Sequence, residues 1–147
     1  MLRTVKLSLI AVLVFGSSHA IAQSTLGALL DAGARKLTVE EFKAELVQRM
    51  LVGPTGIGYE LEVMYTSGGA IAGESRVGSP IYGATRSVLD GEWRSDTEGR
   101  ICSTVRSRGT LATLEPRCQF WFKLGDTYYL SDSDSDRYTK ILPRKLK

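Results

Sequence analysis

The sequence contains no asparagine, and its one histidine, His19, lies among the first 22 residues. That stretch has the order of an export signal. Arg3 and Lys6 precede an apolar run from Leu7 to Phe15, followed by Ser17, Ser18 and an Ala20-Ile21-Ala22 cleavage pattern ahead of Gln23. Cleavage there would leave a chain of about 125 residues without histidine. Histidine-dependent catalysis, the triads built on it and most zinc sites are then excluded. With no asparagine there is no N-glycosylation sequon and no such side chain to orient a cysteine nucleophile.

Long apolar runs are also lacking. The stretch from Leu7 to Phe15 falls well short of the roughly 20 residues a spanning helix needs, so no stable membrane insertion is expected after signal cleavage. No cysteine ends this segment to carry a lipid anchor. Charge of one sign is scarce too: removing Arg3 and Lys6 takes the formal net charge from +3 to +1, and no nucleic-acid partner is expected. The length fits one domain with a modest core.

Residues 23–36 carry Leu26, Leu29 and Leu30 at helical spacing beside Gly27 and Gly33, which reads as a short helix or a tether. Residues 37–147 read as a single domain. Thr38 with Glu41 three positions on makes a capping box, and Phe42, Leu46 and Met50 share one face. This predicts an amphipathic helix of about three to four turns, stopped by Gly53 and Pro54.

Beyond Gly53, glycines punctuate short runs of β-branched and aromatic residues, the pattern of antiparallel strands. In the run Tyr59 to Tyr65, the residues Tyr59, Leu61, Val63 and Tyr65 share a face. Ser67-Gly68-Gly69 turns into a strand near Ala70 to Val77. Further strands are expected at Thr85 to Leu89, Glu92 to Ser95, Arg100 to Arg106, Arg117 to Lys123, Thr127 to Ser131 and Arg137 to Leu142. A two-residue turn at Gly125-Asp126 sets Phe122 opposite Tyr129 and Trp121 opposite Leu130. The fold class expected is α+β: an N-terminal amphipathic helix packed on a curved antiparallel sheet or small barrel, with one disulfide.

That disulfide joins Cys102 and Cys118, the chain's two cysteines, in a protein expected to enter an oxidising compartment. A simple hairpin centred near Thr110 would also put Arg100 opposite Phe120 and Glu98 opposite Phe122, charges against core aromatics. Either Pro116 marks a bulge that shifts the register, the favoured reading, or the strands are not immediate neighbours. A redox role would call for a C-x-x-C arrangement, which is absent.

Other chemistry-bearing patterns stop short of a site. Ser131 to Asp136 alternates serine with Asp132, Asp134 and Asp136, but a calcium loop starting at Asp132 would need glycine and glutamate where Arg137 and Pro143 stand. It reads as a solvated loop, and no metal is expected. The glycines from Gly53 to Gly58 lead into Tyr59-Glu60, not the Lys-Ser/Thr of a phosphate loop. Glu60 with Glu62, and Asp90 with Glu92, read as solvent-face carboxylates. Lys140, Arg144, Lys145 and Lys147 read as a solubilising terminus. Alternation sends Trp121 and Phe120 to opposite faces, so either both sheet faces are covered or some aromatics line a groove; core filling is the default. Trp93, Trp121 and Tyr128 are the candidate ligand or partner surface.

The order Gly91-x-Trp93, Gly99-x-Ile101-Cys102, Cys118-x-x-Trp121 and Gly125-Asp126-x-Tyr128, with the capped helix from Thr38, resembles a family of small exported bacterial proteins known only as a domain of unknown function. The resemblance spans about Leu37 to Leu142. It implies export, a Cys102 to Cys118 bridge and a β-rich body, and supplies no reaction. The glycine-serine stretch from Gly68 to Gly83 and the serine-aspartate loop depart from it. The function expected is a non-catalytic periplasmic or secreted module acting on a protein partner, with no catalytic residue and no cofactor. The alternative is a carrier of a small apolar ligand in an aromatic-lined barrel or groove.

Overall fold

Period-two patterning from Met50 onward is realised as a barrel. The computed structural model describes residues 24–56, 58–79, 83–108 and 116–147, and the expected signal lies outside the described residues. Strands β2 (Met50–Pro54), β3 (Glu60–Tyr65), β4 (Ala70–Ser79), β5 (Gly83–Ser95), β6 (Ile101–Ser107), β7 (Arg117–Leu124), β8 (Thr127–Ser131) and β9 (Ile141–Leu146) neighbour one another in chain order. β9 returns to pair with β2, so eight antiparallel strands close. The body is mostly β, with two short helices and one disulfide. A two-residue strand, β1 (Arg35–Lys36), pairs with Lys123 and Phe122 of β7.

Helix α1 (Leu26–Asp31) lies outside the barrel. Its Leu26 and Leu29 are fully buried in a cluster with Phe120, Phe122 and Ile141. Each buried leucine contributes about 1.5–3 kcal/mol by leaving water, enough to hold so short a helix in place. Helix α2 (Val39–Leu46) starts at the Thr38 capping box. Its Phe42 and Leu46 belong to the main core, with Val63, Tyr65, Ile71 and Trp121 from the strands. Both faces of the β7 region are therefore covered, and this is how Phe120 and Trp121, on opposite faces, are both buried.

Several expectations are corrected. The helix from Thr38 ends at Leu46, not near Gly53: Val47 is extended, Gln48 has φ 65°, and Met50 begins a strand. Leu51 there pairs with Val63 and Leu146, and this barrel pairing outweighs the helical spacing of Met50. Gly53 and Pro54 belong to β2. The two strands expected between Thr85 and Ser95 are one strand, β5, and the last strand begins at Ile141 instead of Arg137. The hairpin at Gly125-Asp126 has the expected register, Trp121 with Leu130 and Phe122 with Tyr129.

Cys102 faces Cys118 directly on neighbouring strands. Neither a bulge nor strand separation is needed. The β6–β7 pairing ends at Ile101 with Gln119, Arg100 turns away to Asp96, and Phe122 is taken by Lys36 of β1. Glu98 and Arg100 therefore never come opposite Phe122 and Phe120, because β1 occupies that edge; the charge that stands there is Lys36, whose ammonium lies 5.0 Å from the centre of the Phe120 ring.

Two seams of the barrel are short. Among the described residues β6 and β7 share three register pairs and β2 and β9 share two, against ten between β4 and β5. Each has a staple. The first is the disulfide. At the second, Pro54 and Pro143 lack N–H donors, and the ladder stops at Val52 with Lys145. Arg144 Nη1 donates instead to the Pro54 carbonyl at 2.7 Å and to its neighbour Pro143's at 2.8 Å. Gly53 leaves room for this, since a Cβ there would run into the Pro143 carbonyl and come within 3.0 Å of Arg144 Nη1. Arg144 is 5% exposed, so the expected solubilising tail is in part a barrel strand.

Candidate functional site

Of the three aromatics picked out by sequence, Trp93 and Trp121 converge on Phe42 at one end of the barrel, and Tyr128 belongs to the same core. Phe42 of α2 stands 5.4 Å from Tyr65, 5.4 Å from Trp93 and 5.2 Å from Trp121, ring centre to ring centre, mostly edge to face. Trp121 and Tyr128 are buried; Trp93 is half-buried and its indole N–H donates to the Thr66 carbonyl at 2.9 Å. Core filling, the default for these rings, describes this end of the barrel. Tyr65, which sequence reasoning did not single out, completes the cluster. Its place on the inner face was legible in the alternation of β3, but its partners come from elements distant in sequence. Burial pushes its phenol pKa up.

A polar latch fastens α2 at this end. Glu45 Oε2 accepts from Lys123 Nζ at 2.6 Å and from the Tyr128 hydroxyl at 2.9 Å, while Oε1 accepts from Arg35 Nη2 at 3.0 Å. The Lys123 ammonium, aided by Tyr128, holds the Glu45 carboxyl below its ordinary 4.5 against the opposing effect of burial. A depressed folded-state pKa stabilises fully above the unfolded value and less as pH falls through the folded one. Glu45→Gln is therefore expected to lower stability at neutral pH and to flatten the loss of stability below about pH 4.5, read from urea midpoints across the acid range. Equal acid sensitivity in both proteins would remove Glu45 from that role.

The acidic loop is occupied by its own neighbours. Asp132 accepts from Arg117 at 2.6 Å and Gln119 at 2.8 Å, Asp134 from Lys36 at 2.8 Å, and Asp136 from the Tyr138 N–H at 3.0 Å. These contacts tie β7, β1 and the loop together, which is what a solvated structural loop does. Asp96, Cys102 and Cys118 bring donor atoms within 4.8 Å of one another, but both sulfurs are spent on the bridge. Asp96 itself is desolvated yet held below the usual carboxylate range by the Arg100 N–H and guanidinium and the Glu98 N–H.

Of the carboxylate pairs, Glu62 accepts from Lys147 at 2.6 Å and Asp90 from Arg108 at 3.1 Å, both on the outer wall. The Lys147 ammonium holds Glu62 below its ordinary value despite some desolvation. Arg144, missed by sequence reasoning, is buried without a carboxylate partner among the described residues, and burial pushes its pKa down. No sequence signal marks it beyond the adjacent Pro143.

Depressions open on the outer wall among the described residues. One, of about 520 Å³, lies over the disulfide between Ala70, Glu92, Arg94, Thr104 and Pro116. Another, of about 440 Å³, lies between Met64, Ala72, Glu74, Arg76 and Arg86. No helix among the described residues is long and apolar enough to cross a membrane. Comparison of the chain with protein-family models, with curated proteins and with solved structures finds no match.

Proposed function

We propose that this protein is an exported, non-catalytic module that acts by protein contact from its outer wall. The observation that carries the reading is the fate of the aromatics: Phe42 inserts among Tyr65, Trp93 and Trp121, so the rings best suited to grip a ligand grip one another. The disulfide suits an oxidising periplasmic or extracellular setting, and the signal-like first 22 residues point the same way. The family resemblance of the Gly-x-Trp and Cys-x-x-Trp pattern adds export and no reaction.

A second reading, the small-ligand carrier, is favoured by closure at eight strands, a size that either fills itself with side chains or holds one small ligand. Native mass spectrometry of protein taken from the periplasm, with and without reductant, separates the two. A clean oxidised species beginning at Gln23 is expected for the contact module. Extra mass lost on denaturation would overturn it in favour of the carrier.

A further inference from the structure

The outer wall of β4, β5 and β6 carries four arginines whose arrangement is costly for the barrel alone. Arg76 and Arg86 are directly opposite each other in the β4–β5 register, an unfavourable like-charge pair. Arg106 stands on β6 across from Asp90, and the Arg108 N–H bonds to the Val88 carbonyl at 2.9 Å, placing it at the same edge. Between them Val88 is 52% exposed.

Glu62 and Asp90 lie low on this wall, Glu74 stands as high as Arg76, and of the four arginines only Arg108, 3.1 Å from Asp90, is held closer than 3.5 Å. Side-chain exposure is 63% for Arg86, 59% for Arg106, 71% for Arg108 and 40% for Arg76, against 20% for Glu62, 34% for Asp90 and 42% for Glu74. The wall therefore presents guanidinium to its surroundings. Arg86 to Glu74 is 3.9 Å and Arg106 to Asp90 is 3.7 Å, beyond hydrogen-bond length, whereas Arg35 to Glu41 and Arg117 to Asp132 are 2.6 Å. Arg76 Nε is buried with no hydrogen-bond partner, and its side chain borders the 440 Å³ depression.

We infer that this wall, with Arg76, Arg86, Arg106 and Arg108 around Val88, is the docking surface for an acidic segment of a partner protein. Guanidinium groups with open forks pair two oxygens of a carboxylate at once, and arginine around an exposed aliphatic centre is the composition of protein interfaces. Phosphate backbones are disfavoured by the small net charge, and single strands by the aliphatic centre where stacking rings would be required.

The inference rests on the contact reading, and its test is independent of it. Oxidised ¹⁵N-labelled protein from the periplasm is titrated with a short peptide alternating glutamate with valine and serine. Its counterpart with lysine for glutamate, a single-stranded oligonucleotide and phosphatidylglycerol vesicles are titrated in parallel. Expected are amide shifts confined to β4–β6 around Arg76, Arg86, Val88 and Arg106, seen with the glutamate peptide alone. Binding should weaken as salt rises and fall tenfold or more in Arg86→Glu/Arg106→Glu, with the rest of the spectrum unchanged. Absent or scattered shifts, equal binding of the lysine peptide, or tighter binding of oligonucleotide or vesicles at this wall would each overturn it. If protein that is ligand-free by mass fails the titration, this surface is wrong and the contact reading stands. A retained ligand by mass overturns the contact reading whatever the peptide does.

Discussion

Replacing Cys102 and Cys118 together with serine is expected to lower the thermal midpoint by roughly 10 °C. The bridge closes a loop of 16 positions, which in the chain-entropy account is worth about 3 kcal/mol. For a domain of this size each kcal/mol moves the midpoint by several degrees. The position of the bond adds to this. It spans the β6–β7 seam, where the described pairing is only three rungs long, so its loss falls where the ladder has least to replace it. The double substitution avoids leaving a free thiol, and differential scanning calorimetry of oxidised wild type and variant reads the result. An unchanged midpoint would show that the seam closes without its bridge.

The second large effect is expected at the other seam. Gly53→Ala would drive a methyl group into the Pro143 carbonyl and against the Arg144 side chain, and the nearest atom in its way is backbone, which yields little. Arg144→Met would keep the apolar stem but leave the Pro54 and Pro143 carbonyls without their donor. A hydrogen bond from a charged donor is worth about 1.5–3 kcal/mol, offset in part because the variant no longer buries a charge. A loss of about 2 kcal/mol is therefore expected for Arg144→Met, and a larger one for Gly53→Ala, from denaturant unfolding at neutral pH. Hydrogen exchange adds a spatial test: protection should fall first in β2 and β9, around Leu51 and Leu146, before the long β4–β5 hairpin opens. Uniform loss of protection would mean that Arg144 is no seam staple.

Misreadings of the chain fall where a local pattern competed with pairing between distant residues. Met50 continues the helical spacing of Phe42 and Leu46, yet Leu51 next to it is needed against Val63 and Leu146. The charges of the basic tail read as a solubilising terminus, yet β9 runs through it and includes Pro143. This proline is accommodated because β9 pairs with β8 at Tyr129 while its β2 side carries no ladder there, and Arg144 takes up the vacancy. The apparent clash of Glu98 and Arg100 with Phe122 and Phe120 came from extending a hairpin that in fact stops, because β1 from the far end of the chain takes over the edge of β7. Alternation separated Trp121 from Phe120, but the meeting of Trp93 and Trp121 at Phe42 was not legible.

By itself the sequence determined the capped start of α2, the Gly125-Asp126 hairpin with its register, most of the strands and the pairing of its two cysteines. These are settled by residues within a few positions of one another, or by there being only one way to pair. Only the tertiary structure decided that the sheet closes, that α2 delivers Phe42 into the aromatic cluster, and that Arg144 is buried at the seam. Closure joins Leu51 to Leu146 across most of the described chain, and a contact of that span leaves no periodicity for a local reading to find.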